Sequence, residues 1–483
     1  MKRRVNFLLV AMASVLMCQA QKPIVQTCYT SDPAPMVYKD TFYVYTGHDE
    51  DGQHKEFVMN EWRVYKSADI VNWTDCGAPL SLETFKWAEW GAWASQCIER
   101  NGHFYWYVCC TSRQTHEMAI GVAVADSPTG PFVDPLGHPI VEGSGGYIDP
   151  TAFVDSHGDA YLYWGNPGLW CCKLNKDMIS YDTSFEIKGK HVTKVKDGVW
   201  KFVQDEESFG GPEVLEPNTK PVDYKDLYEE GPFFYERDGK YYLMYAAGGV
   251  PEHIAYSMSK KPTGPWKYMG QVMRLQDANG NIIRSQDTWC WTNHAGVAKF
   301  KGNDYFVFHC GRLPGGSGFN RAVAIQKFSY NADGTIPEII LSQEPLESVG
   351  ALNPFKRVEA ETMAWSEGLK TESNKHVGVY VTDIQNGDYL QLRNVDFSRA
   401  AKTMEARVAS SQHGGQIEVH LDSTDGKTIA KVEVPITGGW EDWTTVSVPV
   451  TETIIGKHDI YLVFKGRMCT KLFKNILNPC GIS

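Results

Sequence analysis

Between Gln21 and about Gln343 the chain repeats one crude pattern: an apolar strand, a turn bearing Asp, Asn or Gly, and an aromatic strand. Five copies can be read, Ala34 to Gly47, Ala94 to Cys110, Ala152 to Gly165, Pro232 to Gly248 and Ala295 to Gly311. Their turns include Asn101-Gly102, His157-Gly158, Asp238-Gly239 and Gly302-Asn303-Asp304, residue types that reverse a chain between aromatic and β-branched flanks at little steric cost. The period of an amphipathic helix is missing, so the pattern predicts an all-β chain of meander units. Successive copies start some 55 to 80 residues apart, room for a four-stranded sheet each, and radial packing of such sheets hides most of their edges. The prediction is a five-bladed β-propeller over residues 21–345.

The pattern lapses around Glu344-Pro345 and Asn353-Pro354, so residues 346–355 read as a linker or short wrap. Residues 356–483 alternate again, as in Gln416-Ile417-Glu418-Val419-His420-Leu421 and Asp459-Ile460-Tyr461-Leu462-Val463-Phe464. Short strands at regular spacing predict a β-sandwich of jelly-roll type.

At the other end, Lys2, Arg3 and Arg4 precede the apolar run Phe7 to Met17, and Ala20 precedes Gln21, the pattern of an export signal over residues 1–20. Cys18 offers a lipid-attachment alternative, though Met17 before it is a poor fit to the small residue such processing prefers. The run is too short to span a bilayer. These features predict a secreted or periplasmic protein, a monomer with no integral membrane segment. Apolar residues make up 42% and aromatic residues 12% of the 483, ample for buried cores. The net charge of −11, which loses three cations with the signal, disfavours nucleic acid and anionic surfaces but leaves neutral polysaccharide open. Twelve cysteines fall to an odd eleven without Cys18, and the pairs Cys109-Cys110 and Cys171-Cys172 sit in strand-like runs without metal-ligand spacing. Most read as small buried hydrophobes, with room for one or two disulfides.

Three copies of the repeat are introduced by an acid, in Ser31-Asp32-Pro33-Ala34-Pro35, Ile148-Asp149-Pro150-Thr151-Ala152 and Glu229-Glu230-Gly231-Pro232. From Asp32, Asp149 and Glu230 to the next strand's first Tyr (Tyr43, Tyr161, Tyr241) the offsets are 11, 12 and 11 residues. Taken singly, Asp-Pro and Glu-Gly-Pro are ordinary turn material. Recurrence at one offset on a circular repeat instead brings three carboxylates to one axis, a set suited to acid/base chemistry on a neutral polar substrate. Glu229 is the rival to Glu230, but adjacent strand residues point to opposite sides, so only one of them faces the axis.

These three motifs, in this order and on this repeat, resemble glycoside hydrolase family 43. The resemblance covers the whole first domain and implies an inverting hydrolase on a five-bladed propeller, with Asp32 as general base, Glu230 as general acid and Asp149 as helper. Inversion needs one carboxylate to activate water and one protonated acid for the leaving oxygen. A nearby anion such as Asp149 would keep Glu230 protonated. Trp93, where the family has a Trp-Ala pair, and also Trp90 and Trp164, are candidate sugar platforms, with core packing as the alternative for each. The resemblance places His294, in Thr292-Asn293-His294, beside a buried cation, usually calcium; a core histidine is the other reading. Arg321 is a candidate for a substrate hydroxyl or for pairing with an acid, with a plain surface salt bridge as the other reading. The charged loop Gly47-His48-Asp49-Glu50-Asp51 reads as solvated.

The second domain resembles carbohydrate-binding module family 6 on the segments Val358-Glu359-Ala360-Glu361, Asn386-Gly387-Asp388-Tyr389, Arg407-Val408-Ala409-Ser410, Gly438-Gly439-Trp440 and His458-Asp459-Ile460-Tyr461. That resemblance implies Glu359 and Glu361 as ligands of a structural calcium ion, and Tyr380 and Trp440 as the pair that stacks on sugar. The closing run from Leu472 to Gly481 departs from the family's pattern, which predicts an altered or shortened last strand and puts Asn475 in doubt as a sugar contact. The expected activity is removal of side chains or terminal units from plant xylan, first α-L-arabinofuranosidase action on arabinoxylan. β-Xylosidase, arabinanase and a non-catalytic binding propeller are the alternatives. A fructoside-acting propeller enzyme lacks its Asn-Asp-Pro-Asn and Arg-Asp-Pro segments here.

Overall fold

The computed structural model describes residues 23–142, 146–184, 192–194, 200–202, 226, 228–248, 252–273, 292–341, 345–466 and 470–478. The export-signal segment and Cys18 lie outside these residues. Among them there is no α-helix, and no helix long and apolar enough to cross a membrane.

The five sequence repeats are five antiparallel hairpins, and each hairpin opens a sheet. They are Tyr29–Tyr38 with Thr41–Asp49, Ser95–Arg100 with His103–Thr111, Thr151–Val154 with Ala160–Trp164, Tyr228–Arg237 with Lys240–Ala247, and Ala295–Phe300 with Asn303–Cys310. Asn101-Gly102, Asp238-Gly239 and Lys301-Gly302 all take positive φ at both residues, the turn whose twist matches the flanking strands. The fifth turn is therefore one residue earlier than the sequence pattern suggested. A third strand follows in every sheet, and a fourth in the first, second and fourth.

Both faces of the inner hairpins are buried, because each sheet shares one core with the sheet before it and another with the sheet after it. In the strand Thr41–Asp49, Tyr43 and Tyr45 pack with Trp106 of the second sheet, whereas Phe42 and Val44 pack with Tyr305 and Val307 of the fifth. Tyr107 joins Trp164 and Trp170 between the second and third sheets. Tyr163 stacks on Phe234 between the third and fourth, with centroids 3.7 Å apart. Tyr242 meets Phe306 and Phe308 between the fourth and fifth.

Residues from Val358 on form a β-sandwich of a six-stranded and a five-stranded sheet around Leu390, Leu392, Phe397, Ile460, Leu462 and Phe464. Its last strand is not short: Thr470–Asn478 pairs with Thr403–Ser410, Val358–Glu359 and Val381 inside the six-stranded sheet. The expectation of a truncated strand fails because backbone ladder bonds do not depend on the side chains that changed.

Segment 346–355 is bonded to both domains, with Val349 N donating to Asp69 O and Leu352 N to Asn394 O. The domains also join directly, since Thr362–Met363 pairs with Trp73–Asp75 of the first sheet. The Asn72 side chain clamps Arg393 through bonds of 2.8 Å to its carbonyl and its N–H.

The eight cysteines described are all free thiols, six of them buried.

Candidate active site

Irregular backbone surrounds the acids at the start of the first, third and fourth sheets: Asp32 falls in a gap of its ladder, Asp149 precedes its strand, and Glu230 is paired with Ala246 between two slips. Register slips between Ser31 and Ala34, and twice between Tyr228 and Phe233. The residue before each proline is left-handed, with φ of 48° at Asp32, 60° at Asp149 and 62° at Gly231. A non-glycine residue there costs about 1–2 kcal/mol, which tertiary contacts must offset. Aligned on the prolines, Asp32 and Asp149 are equivalent, and the third acid has moved back one place so that glycine takes the strained position. Glycine is also required for space: a Cβ on Gly231 would lie 2.6 Å from the His294 ring.

The three acids meet around His294. Its Nδ1 is 2.9 Å from Asp32 Oδ1, and its Nε2 is 3.7 Å from Asp149 Oδ2, which accepts the Gly231 N–H at 3.0 Å. Glu230 Oε2 accepts a bond of 2.5 Å from Asn166 Nδ2. Asp32, Asp149 and Glu230 are 6%, 5% and 8% exposed, so their fields act through little solvent. A cavity of about 20 Å³ is lined by Asp32, Asp149 and His294 with Ser95 and Gln96, room for roughly one water.

Surroundings push the acids apart. Burial works against ionised Asp32, yet Arg321 and then His294 hold its carboxyl well below the usual range. Burial followed by the charge of Asp149 pushes Glu230 up to about 7. Asp149 is itself raised, first by burial. His294 resists its own burial and is carried up to about 9 by Asp149, Asp32 and Glu230, so it is an imidazolium at neutral pH. His309 is pressed down to about 3 by burial and by Arg321. It is neutral, and Nδ1 accepts the Asp32 N–H at 3.0 Å while Nε2 donates to Thr292 O at 2.8 Å. The side-chain contacts of Asp32 fall on Oδ1, and among the described residues its Oδ2 accepts no hydrogen bond.

Arg321 is buried behind this cluster. Nη1 donates to Asp32 Oδ1 at 2.8 Å and to Thr292, while Nε and Nη2 form a fork on Asp49 at 2.9 and 2.8 Å. Of its sequence readings, pairing with an acid is the one the geometry carries; the substrate-clamp and surface-salt-bridge readings are corrected, because its side chain is 3% exposed and its donors are committed inward. Asp49 corrects the solvated-loop reading as well. It is fully buried at the end of the Thr41–Asp49 strand, and Asp51 alone of that run's acids is fully outside, paired with Lys370.

Trp90 is 48% exposed and packs edge-on against Trp93 at 5.4 Å. Trp93 is half-buried, one residue before Ala94, Ser95 and Gln96 of the small cavity, and among the described residues its indole N–H has no partner. Trp164 is not a platform. It is fully buried between the second and third sheets, because the strand-end position that suggested a channel mouth turns it into the intersheet core. Tyr380 is corrected too: at 4% exposure it packs on Trp443 and donates to Glu372, leaving Trp440, 43% exposed, as the open aromatic of that pair.

Both ring nitrogens of His294 face carboxylates in this structure, Nδ1 that of Asp32 and Nε2 that of Asp149. Among the described residues no three His, Cys, Asp or Glu side chains group as a metal site. Glu359 is tied to Arg357 at 2.7 Å. Glu361 is different: it is buried, its Oε2 has no hydrogen-bond partner, and burial pushes its carboxyl up to about 9. An orphaned carboxyl of this kind is what a hard cation satisfies.

Sequence reading missed Asn166, His309, Thr292 and Asp49 as parts of the site. Asn166-Pro167 carried the one visible signal, a turn dipeptide closing the third hairpin at the acids' end.

Comparison with known proteins places the chain. The pattern of glycosyl hydrolases family 43 matches residues 20–336, and that of carbohydrate binding module family 6 matches residues 359–474. An arabinoxylan arabinofuranohydrolase of Bacillus subtilis (strain 168) is 32% identical over 93% of this chain and 90% of its own length. A protein of the same name from Paenibacillus polymyxa is 31% identical over 92% and 72%. Among solved structures, the family 43 arabinoxylan arabinofuranohydrolase from Bacillus subtilis in complex with cellotetraose superimposes with a TM-score of 0.75 at 28% identity, covering 95% of this chain and 97% of that one.

Proposed function

This chain belongs to glycosyl hydrolases family 43 and is a glycoside hydrolase, and from that premise we propose that it removes α-L-arabinofuranosyl side chains from arabinoxylan. The observation that carries the reading is the split between two buried carboxyls, one held ionised and one held protonated to about pH 7, beside a third anion. Environments that drive two titrating groups apart assign the base and the acid.

In this mechanism Asp32 Oδ2 takes the proton of the attacking water, Oδ1 being occupied by Arg321 and His294. Glu230 protonates the departing glycosidic oxygen. Asp149 does not react; its charge favours protonated Glu230 and the imidazolium of His294 that orients Asp32. Such a pair inverts the anomeric centre, with the carboxyls about 6.5–9.5 Å apart to admit the water. We read the five sheets as the blades of a closed propeller, supported by the cores shared in cyclic order, with the acids at the mouth of its axis. The protein would be exported, on the strength of residues 1–20, and its sandwich module would hold it on the polymer.

Incubation with aryl arabinofuranoside, aryl xyloside and arabinoxylan tests the reading. We expect arabinose release from the first and third, at least about 10²-fold lower rates for Glu230→Ala, and an inverted first product by proton NMR. Faster cleavage of the xyloside would instead assign β-xylosidase, the activity named in a Xylanibacter ruminicola relative that is 28% identical over 64% of this chain. A retained anomer would remove Asp32 as base.

Calcium belongs to the proposal at one place, Glu361 of the module with Glu359 beside it, where it would act as a structural cross-link. Added Ca²⁺ should then raise the melting temperature of the parent and chelation lower it, with neither effect in Glu361→Gln. A parent indifferent to both discards the ion.

A further inference from the structure

The segment Thr292-Asn293-His294 precedes the first strand of the fifth sheet and belongs to no ladder, yet it touches Arg321, His309, Gly231 and both aspartates. Thr292 Oγ1 accepts Arg321 Nη1 at 3.0 Å, and the Thr292 carbonyl accepts His309 Nε2 at 2.8 Å. His294 stands between Asp32 and Asp149. Asn293 packs its carbonyl oxygen beside Gly231, where an added Cβ would come within 3.1 Å of it. A buried segment outside any ladder must take its place from contacts of this kind.

One residue that the mechanism does not use ties this segment down from the side. Glu252 is 5% exposed. Its Oε2 accepts the Asn293 N–H at 2.7 Å, and its carbonyl accepts Asn293 Nδ2 at 3.1 Å, so Asn293 is gripped through backbone and side chain together. Glu252 is itself anchored, because the next residue, His253, opens the third strand of the fourth sheet. His253 pairs with Ala247, and its Nε2 is 2.8 Å from Asp226 Oδ1. The two bonds therefore bridge the fourth sheet to the start of the fifth. Burial and the charge of Glu230, with Glu229 and Asp149 behind it, hold the Glu252 carboxyl well above the usual range against the pull of the Asn293 bond. It stands there as the neutral acid, for which an amide is the isostere. Glu252 does not line the small cavity beside Asp32 and Asp149.

We propose that Glu252 is a positioning residue for the hydrolysis: its paired bonds to Asn293 fix where His294 stands between the two aspartates and how the 292–294 segment packs on the turn that carries Glu230. Removing the carboxyl strands a buried N–H, and the segment must shift to satisfy it. The His294 bond to Asp32 is 2.9 Å long, so a shift of about 1 Å would break it and release the orientation of the base. The acceptor oxygen is what matters, so glutamine should serve in place of the acid and alanine should not. The proposal rests on the acid and base assignment given above, so one arm of its test reads geometry without turnover.

The experiment compares the parent with Glu252→Ala and Glu252→Gln on whichever of the aryl arabinofuranoside and the aryl xyloside the parent cleaves. Glu252→Ala should lose about tenfold or more in kcat with KM unchanged, and Glu252→Gln should recover most of that loss. The second arm is heteronuclear NMR of histidine-labelled protein. There the His294 ring signals, identified by their absence from His294→Asn, should shift in Glu252→Ala and stay in place in Glu252→Gln. If Glu252→Ala fails to fold, Asn293→Ala removes only the side-chain half of the tie and should show the same pattern at smaller amplitude. Parental kcat and parental ring signals in the alanine variant overturn the proposal. So does a Glu252→Gln variant as slow as Glu252→Ala, or a loss carried by KM alone. A parent that cleaves neither glycoside would count against the catalytic reading alone, and the ring signals would then decide the positioning by themselves.

Discussion

At the scale of single residues the site is a problem in proton placement. Glu230 must be protonated to donate, and its carboxyl titrates near 7, so kcat/KM should fall on the alkaline side with a midpoint near that pH. Asp32 stays ionised well below the ordinary carboxylate range, so the acidic limb should lie lower than a free aspartate would give. Two substitutions test the causes with opposite signs. The Asn166 bond favours ionised Glu230, so Asn166→Ala moves the alkaline limb up; the Asp149 charge disfavours it, so Asp149→Asn moves the limb down. Shifts in the same direction would mean that a different group sets the limb. The acids themselves were legible because Asp-Pro and Glu-Gly-Pro recur. Arg321, His309 and Asp49 were not, because what they do depends on partners up to 289 positions away.

At the scale of elements, the left-handed residue before each proline bends the chain where a strand begins, and the acids at those bends meet around His294. In the fourth sheet glycine makes the bend. Gly231→Ala combines backbone strain with a Cβ pressed on the His294 ring and should cost about 2–4 kcal/mol, with a loss of kcat. Gly239→Ala is the matched control: it has φ of 70° and nothing within 4 Å of its Cβ, so it should cost about 1 kcal/mol and leave kcat alone. Equal effects, read by chemical denaturation, would remove the steric part of the argument. The hairpins were legible to within a residue or so, since aromatic alternation and Asn-Gly or Asp-Gly turns are local. Trp164 and Tyr380 were misplaced because alternation fixes that a strand has two faces and leaves open which face is core.

At the scale of the whole molecule, the domains are joined by a shared strand pairing and by the Asn72 clamp on Arg393. Intrachain domain interfaces are often weak enough to permit relative motion. Here the clamp satisfies a backbone donor and acceptor together, and Asn72→Ala strands both at a cost of about 2 kcal/mol. Scanning calorimetry should show one transition for the parent and a broadened or split one for Asn72→Ala. Two resolved transitions in the parent would mean that the interface does not couple the domains. The segment 346–355 looked like a linker because Pro345 before it and Pro354 within it interrupt the strand pattern, yet interruption of pattern and absence of contact are different properties.

The amino-acid sequence alone determined the all-β class, the hairpin positions, the division into a repeat domain and a sandwich, and the three acids, since each rests on short-range periodicity or on a motif that recurs. Tertiary structure decided the proton states of those acids, the inward commitment of Arg321, and the burial of Asp49, Trp164 and Tyr380. The physical reason is range. Side-chain alternation and turn chemistry act over a few residues, whereas desolvation and charge coupling act over ångströms between positions that only the folded chain makes neighbours.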